Sequence, residues 1–249
     1  MKRLLKFLAL AFVLATPAQA IDLSAMTNDE KTAFGAAVRE YLLENPEIIV
    51  EVISVLEERR AVSEAQSDRD LVLSVQELLF DDGFSHVSGN PHGDIEIVEF
   101  IDYRCGYCRK AHPEVKEMMA EDGNIRLVYK EYPILGEQSV IASRFAIATR
   151  LLFGGIAYEN MQDTLMAFTG NYSEAALRKL AGAIDVDADA ILEEMTSEKV
   201  TDEINNNRAL GNHLAVTGTP TFVLEVEMLR GYVPKAQFAA MVEEVRASK

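Results

Sequence analysis

The chain holds only two cysteines in 249 residues, and they stand three apart as Cys105-Gly106-Tyr107-Cys108. Directly before them runs Ile95-Glu96-Ile97-Val98-Glu99-Phe100-Ile101, whose alternation predicts a strand. Directly after them a helical pattern continues through Met119. A strand that feeds a cysteine pair at a helix start leaves few folds open. It also sets the chemistry. The unpaired N–H groups of a helix N-terminus stabilise an anion, so Cys105 is expected to ionise easily. Cys108 lies one turn further in, within reach of a mixed disulfide formed at Cys105. A purely structural disulfide would close too small a loop to add much stability. A zinc ribbon needs a second pair or well-spaced histidines, which His86, His92, His112 and His213 do not supply. A Cu(I) site made by the two thiolates stays open as a second reading.

The N-terminus has the form of a secretory signal. Lys2, Arg3 and Lys6 are its basic part, Leu4 to Ala15 its apolar part, and Ala18-Gln19-Ala20 its small-residue cleavage site. Residues 1–20 are therefore expected to be removed after Ala20. The apolar run is too short to span a bilayer, so no membrane insertion is expected. Export to an oxidising space, best matched by the periplasm, fits a redox cysteine pair. A formal net charge of −16 argues against binding nucleic acid or an anionic membrane.

Residues 21–80 are expected to be a helical segment separate from the redox fold. Thr27-Asn28-Asp29-Glu30 is a capping-box pattern, and Asn45-Pro46 divides one helix from the next. The apolar stripe of Ile48, Ile49, Val52, Ile53 and Leu56 fades over 57–70, which could be a solvated helix or a connector. Short striped helices bury little alone, so packing on the redox domain or homo-oligomerisation through 21–80 is expected. Residues 81–249 read as a loop through Gly93, a strand, the cysteine helix with Pro113 inside it, and a second strand at 124–131. A helical block follows at about 137–213. Two strands near 220–224 and 228–232 and a last helix at 234–247 complete the order.

Thr217-Gly218-Thr219-Pro220-Thr221 is the other strong signal. A proline that opens a strand after a glycine implies a tight turn with a cis bond, or a trans proline at a strand edge. With the cysteine pair upstream, the cis form is expected, and the Thr219 backbone could then pair with an extended substrate.

Val98-Glu99-Phe100, Cys105-Gly106-Tyr107-Cys108, Pro113 and Gly218-Thr219-Pro220 together resemble the DsbA family of thioredoxin-fold oxidoreductases. The helical block resembles that family's insertion. Tyr41-Leu42-Leu43-Glu44-Asn45-Pro46-Glu47 resembles the ScsC-like subgroup, named for suppression of copper sensitivity. The resemblance implies an α/β thioredoxin fold with an inserted helical domain and an N-terminal helical segment. It implies Cys105 as nucleophile, Cys108 as resolving thiol, Pro220 as cis proline, and Gly106, Tyr107 and Thr219 as substrate contacts. It implies no cofactor beyond the Cys105–Cys108 redox pair. Glu99 falls where the family carries a buried acid that relays the Cys108 proton; the alternative is a strand residue paired with Lys130. His112 and Tyr103 are read as local surface or packing. Gly106-Tyr107 replaces the histidine-bearing pair of the strong oxidases, which favours isomerase or reductase over oxidase. Unfolded or wrongly bridged secreted proteins are the implied substrates. A DsbD- or ScsB-like membrane reductase is the implied partner, or a DsbB-like one for an oxidase.

Overall fold

The computed structural model describes residues 26–249, so the expected signal peptide lies outside the described residues. The chain divides into two compact units between Arg59 and Arg60. That point falls inside a helix, whereas the sequence suggested a division after residue 80.

In the first unit, α1 (Asn28–Glu44) opens on a complete capping box. Thr27 N donates to Glu30 Oε2 at 2.8 Å and Glu30 N donates to Thr27 Oγ1 at 3.3 Å. Asn45 ends α1, and α2 (Glu47–Ser74) starts just past Pro46. No residue of α1 is buried. Phe34, Val38, Tyr41 and Leu43, with Ile49, Val50, Val52 and Ile53 of α2, are all exposed. Residues 57–70, which lack an apolar stripe, lie within α2 and are helical.

The second unit is built on a five-stranded sheet in the order β1-β3-β2-β4-β5. Its strands are β1 (His86–Gly89), β2 (Ile95–Ile101), β3 (Ile125–Glu131), β4 (Thr221–Leu224) and β5 (Glu227–Arg230). Only β2 and β3 are parallel, joined by α4 (Gly106–Asp122). One sheet face, with Ile97, Ile101, Leu127, Phe222 and Leu224, joins the core that holds Val115 of α4 and Phe238 of α9 (Lys235–Ala247). The other face, with Val98, Phe100, Val128 and Val223, packs on Val72 of α2, Leu79 of α3 (Gln76–Phe80) and Leu210 and Leu214 at the end of α8 (Glu198–His213). Asp68 and Arg69 of α2 form ion pairs with Arg230 and Glu227 of β5. The inserted block is α5 (Glu137–Ala167), α6 (Glu174–Ala183), α7 (Ala188–Glu194) and α8.

The structure departs from the sequence reading, or settles what it left open, at four places. β1 lies in the segment 81–93 that read as loop. Four residues flanked by Gly, Asn and Pro carry no clear periodicity, and only pairing with β3 makes them a strand. α5 is interrupted at Gly154, whose φ of 82° is non-helical. The β4–β5 hairpin lacks the usual turn formers, yet Glu225 takes a φ of 55° there. Glu225 N donates to Glu96 O at 2.9 Å, and Glu225 Oε1 accepts from Glu96 N at 2.8 Å. These two bonds hold the turn in place of a glycine. Lastly, α5 is by length and composition apolar enough to cross a bilayer, a second long apolar segment the sequence reading did not expect. Phe145, Ile147 and Leu165 of α5 are fully buried in the protein core.

Candidate active site

β2 ends at Ile101, and the chain turns through Asp102 into α4. Asp102 is fully buried. Its Oδ1 accepts from Arg104 N at 2.8 Å, and its Oδ2 accepts from Ile134 N and Leu135 N at 2.9 and 3.0 Å. The Asp102 carbonyl accepts from Cys105 N at 3.0 Å. One acid therefore fixes the turn that delivers the first cysteine.

Cys105 is the N-cap of α4 and keeps 8% exposure, while Cys108, one turn inward, has none. Both are free thiols. The Thr219–Pro220 bond is cis. Cys105 Sγ lies 3.0 Å from Thr219 O, so the cysteine and the Gly-Thr-Pro turn, 114 residues apart in sequence, meet in space. Gly106 and Tyr107 are exposed beside them, and Pro220 is buried.

The two thiols are driven in opposite directions. The Cys105 pKa is lowered to about 5, first by the hydrogen bond from Cys108, then by the Thr219 side chain and the amides of Cys108 and Tyr107. Thr219 Oγ1 is buried and has no hydrogen-bond partner, so its proton is unclaimed. Burial pushes the Cys108 thiol far above its ordinary value, and its position as donor to Cys105 and the nearby Glu99 charge push it further. At neutral pH one sulfur is an accessible thiolate and the other a buried thiol.

Glu99 sits in the centre of β2, with Tyr129 and Phe222 as its cross-strand neighbours. It is 1% exposed, its Oε2 has no hydrogen-bond partner, and desolvation raises its pKa to about 8. A protonated carboxyl near Cys108 can exchange a proton with it. The alternative pairing with Lys130 does not occur. Lys130 Nζ donates to Asp82 Oδ2 at 2.6 Å, to Leu78 O at 2.8 Å and to Ser85 Oγ at 3.2 Å.

Tyr103 and His112 are packing residues rather than surface ones. The Tyr103 hydroxyl donates to Glu131 Oε1 at 2.6 Å, and His112 Nε2 lies 2.6 Å from Asp163 Oδ1 of α5. Glu131 was not singled out in the sequence. It is buried, accepts also from the Tyr158 hydroxyl at 2.8 Å, and is pushed up to about 7 by desolvation. Among the described residues, no group of three or more His, Cys, Asp or Glu is placed to hold a metal ion.

Residues 96–243 match the family described as DSBA-like thioredoxin domain, and residues 30–61 match the copper resistance protein ScsC N-terminal domain. Among solved structures, a thioredoxin-like oxidoreductase from Silicibacter pomeroyi DSS-3 is 38% identical, covers 69% of this chain and 97% of its own, and superposes with a TM-score of 0.64. Proteus mirabilis ScsC in a transitional conformation is 23% identical, covers 91% of this chain and 99% of its own, and has a TM-score of 0.66; at that identity it speaks for the fold alone. Among curated proteins, the Na(+)/H(+) antiporter NhaA 3 of Salinispora tropica is 28% identical over 137 residues, 55% of this chain. The chain spans only 21% of that relative's length. A family match running over more than half of the chain, from the strand ahead of the cysteines through the cis proline to the last helix, makes this protein a member of the DSBA-like thioredoxin domain family.

Proposed function

We propose that the protein is a periplasmic thiol–disulfide oxidoreductase that works mainly as a disulfide isomerase or reductase on exported proteins. The observation that carries the thiol–disulfide chemistry of this reading is the pairing of Cys105, 3.0 Å from Thr219 O of the cis-proline turn, with the buried Cys108, their thiol pKa values displaced in opposite directions, to about 5 for Cys105 and far upward for Cys108. The Cys105 thiolate attacks a substrate disulfide and forms a mixed disulfide, expelling one substrate sulfur as thiolate. The ionised fraction of Glu99, which grows as pH approaches 8, takes the Cys108 proton, and Cys108 attacks Cys105, which releases the second substrate thiolate and leaves a Cys105–Cys108 disulfide. Alternatively, the freed substrate thiolate attacks a different substrate disulfide, and a final attack on the mixed disulfide returns Cys105. Two electrons pass from the dithiol to the substrate in the first course and none in the second. Thr219 and Pro220 with Gly106 and Tyr107 seat the substrate chain. A thiolate stabilised this far makes the Cys105–Cys108 disulfide easy to reduce, so a membrane reductase of the DsbD or ScsB kind would restore the dithiol that isomerisation requires, and Gly106-Tyr107 in place of the histidine-bearing pair supports isomerase or reductase over oxidase. The N-terminal signal over 1–20 would place the protein in the periplasm.

The exposed apolar residues of α1 and of the first half of α2 support homo-oligomerisation through this segment. Linked copies would surround one client with several active sites. Sequestration of Cu(I) by Cys105 and Cys108 is the second reading. Two reduced thiols one helical turn apart favour it, and the full burial of Cys108 opposes it.

Reactivation of scrambled ribonuclease by the mature protein, with Cys105→Ala as control and reduced ribonuclease alongside, tests the assignment. Recovery of the scrambled form that the variant loses supports an isomerase. Activity on the reduced form alone makes the protein an oxidase, and inactivity in both assays brings Cu(I) binding forward. Light scattering of the mature protein against a chain lacking residues 21–59 tests the oligomer.

A further inference from the structure

The segment between β5 and α9 touches the redox site through one residue that the function above leaves unused. Tyr232, half-buried, is held at two points. Its hydroxyl lies 2.8 Å from both carboxylate oxygens of Glu114, which also accepts from Lys235 N at 3.0 Å. Lys110 Nζ stands 4.1 Å from the ring centroid. The Tyr107 ring stacks on Tyr232, with centroids 6.4 Å apart and planes 23° apart. Tyr107, Lys110 and Glu114 follow one another along one face of α4, at helical spacings of three and four. The first turn of α4 and the β5–α9 loop therefore share one fixed aromatic pair.

A tie of this kind would by itself only dock the loop onto the helix. Tyr107 goes beyond that need. It lies between the two cysteines, and 63% of it stays exposed although one face rests on Tyr232. Fixing a large apolar side chain at a solvent-facing position costs rotamer freedom that folding does not recover. A ring held in place beside Cys105 is instead prepared for contact with a residue brought in by the substrate.

We propose that Tyr107 and Tyr232 form a preassembled aromatic ledge that selects polypeptides carrying an aromatic side chain next to the reacting cysteine. Tyr107 makes the contact, and Tyr232 is a positioning residue that acts through it. This rests on the thiol–disulfide reading above and names the substrate class for that site.

The test uses the full mature protein, reduced, and two synthetic peptides whose cysteine is held in a mixed disulfide with thionitrobenzoate. One peptide carries Phe beside the cysteine and the other Ala. Cys105 attacks the peptide sulfur, a Cys105–peptide disulfide forms, and coloured thionitrobenzoate leaves with the electron pair of the broken bond. The Phe peptide should react about fivefold faster than the Ala peptide. Tyr232→Ala should bring the ratio near one, and Tyr232→Phe, which keeps the ring, should retain most of it. If Tyr232→Ala does not fold, Tyr107→Ala, a change at an exposed position, should abolish the ratio in its place. A ratio near one in the unsubstituted protein overturns the ledge, as does a Tyr232→Ala variant that slows both peptides equally. Free dithionitrobenzoate separates the two readings. A protein that reduces it without discriminating between peptides loses only the ledge, and one that cannot reduce it loses the oxidoreductase reading and the ledge with it.

Discussion

Glu99 and Lys130 stand on opposite faces of the same sheet and never meet. The register places Glu99 beside Tyr129 and Lys130 beside Phe100, one residue out of step, and a one-residue offset reverses the side of a strand. Glu99 is left among apolar neighbours near Cys108 with no counter-charge, while Lys130 finds Asp82 on the far side. The acid near the active site is thus kept neutral by its surroundings, and the structural ion pair is kept away from it.

The isolation of Glu99 predicts how stability varies with pH. Its folded pKa of about 8 lies above the ordinary value of 4.5. The unfolded chain therefore ionises first, and the contribution of Glu99 to stability is full below pH 4.5 and lost as pH rises toward 8. Glu99→Gln should stabilise the protein at pH 7 by about 2 kcal/mol, given roughly 1.4 kcal/mol per unit of pKa difference and an amide that also lacks a partner. Urea melts of both proteins at pH 5 and pH 8 measure this, with the gain expected to shrink at pH 5. The same variant should slow release of the mixed disulfide by Cys108.

Cys105 should titrate near pH 5, against 9 for an ordinary thiol. Its folded pKa is depressed, so the thiolate stabilises the reduced protein above pH 9 in full, and this contribution is lost as pH falls toward 5. The ultraviolet absorbance of the thiolate in reduced protein, followed against pH, reads the midpoint directly. Thr219→Val removes a donor hydroxyl of nearly the same shape and should move that midpoint upward. An unchanged midpoint would mean that the hydroxyl does not reach the sulfur.

The Lys130–Asp82 pair is buried, with 0% and 5% of the side chains exposed. Removing one partner strands the other charge, so Lys130→Met should cost about 3–5 kcal/mol. Adding Asp82→Asn should recover part of the loss, which a double-mutant cycle in urea measures.

Glu131 joins the redox fold to the insertion by accepting from Tyr103 and from Tyr158 of α5. Tyr158→Phe removes one donor and should cost about 1–3 kcal/mol. With a Glu131 pKa of about 7, raised from 4.5, the carboxylate is charged above pH 7 and needs the donor more. The penalty should therefore be larger at pH 8 than at pH 5, as thermal melts at the two values would record.

The cysteine pair at a helix start, the alternation through Glu99 and Phe100, the capping box at Thr27 and the Gly218-Thr219-Pro220 turn were legible in the sequence, because each is a local pattern with a local physical cause. So were the thioredoxin fold and its inserted helical block. Other features were not legible, because their causes lie far along the chain. His86–Gly89 becomes a strand only through β3, and Glu225 holds its turn only through Glu96. Glu131 becomes a buried acid only where Tyr103 and Tyr158 converge, and Tyr232 reaches Tyr107 only after the β4–β5 hairpin has returned to α4. The sequence by itself determined which residues could carry redox chemistry, since a thiol pair and a helix start are written in consecutive residues. Tertiary structure alone decided that Cys108 is held as a buried thiol, which carboxyl stays neutral and which cation stays away, because burial and long-range register set those charges.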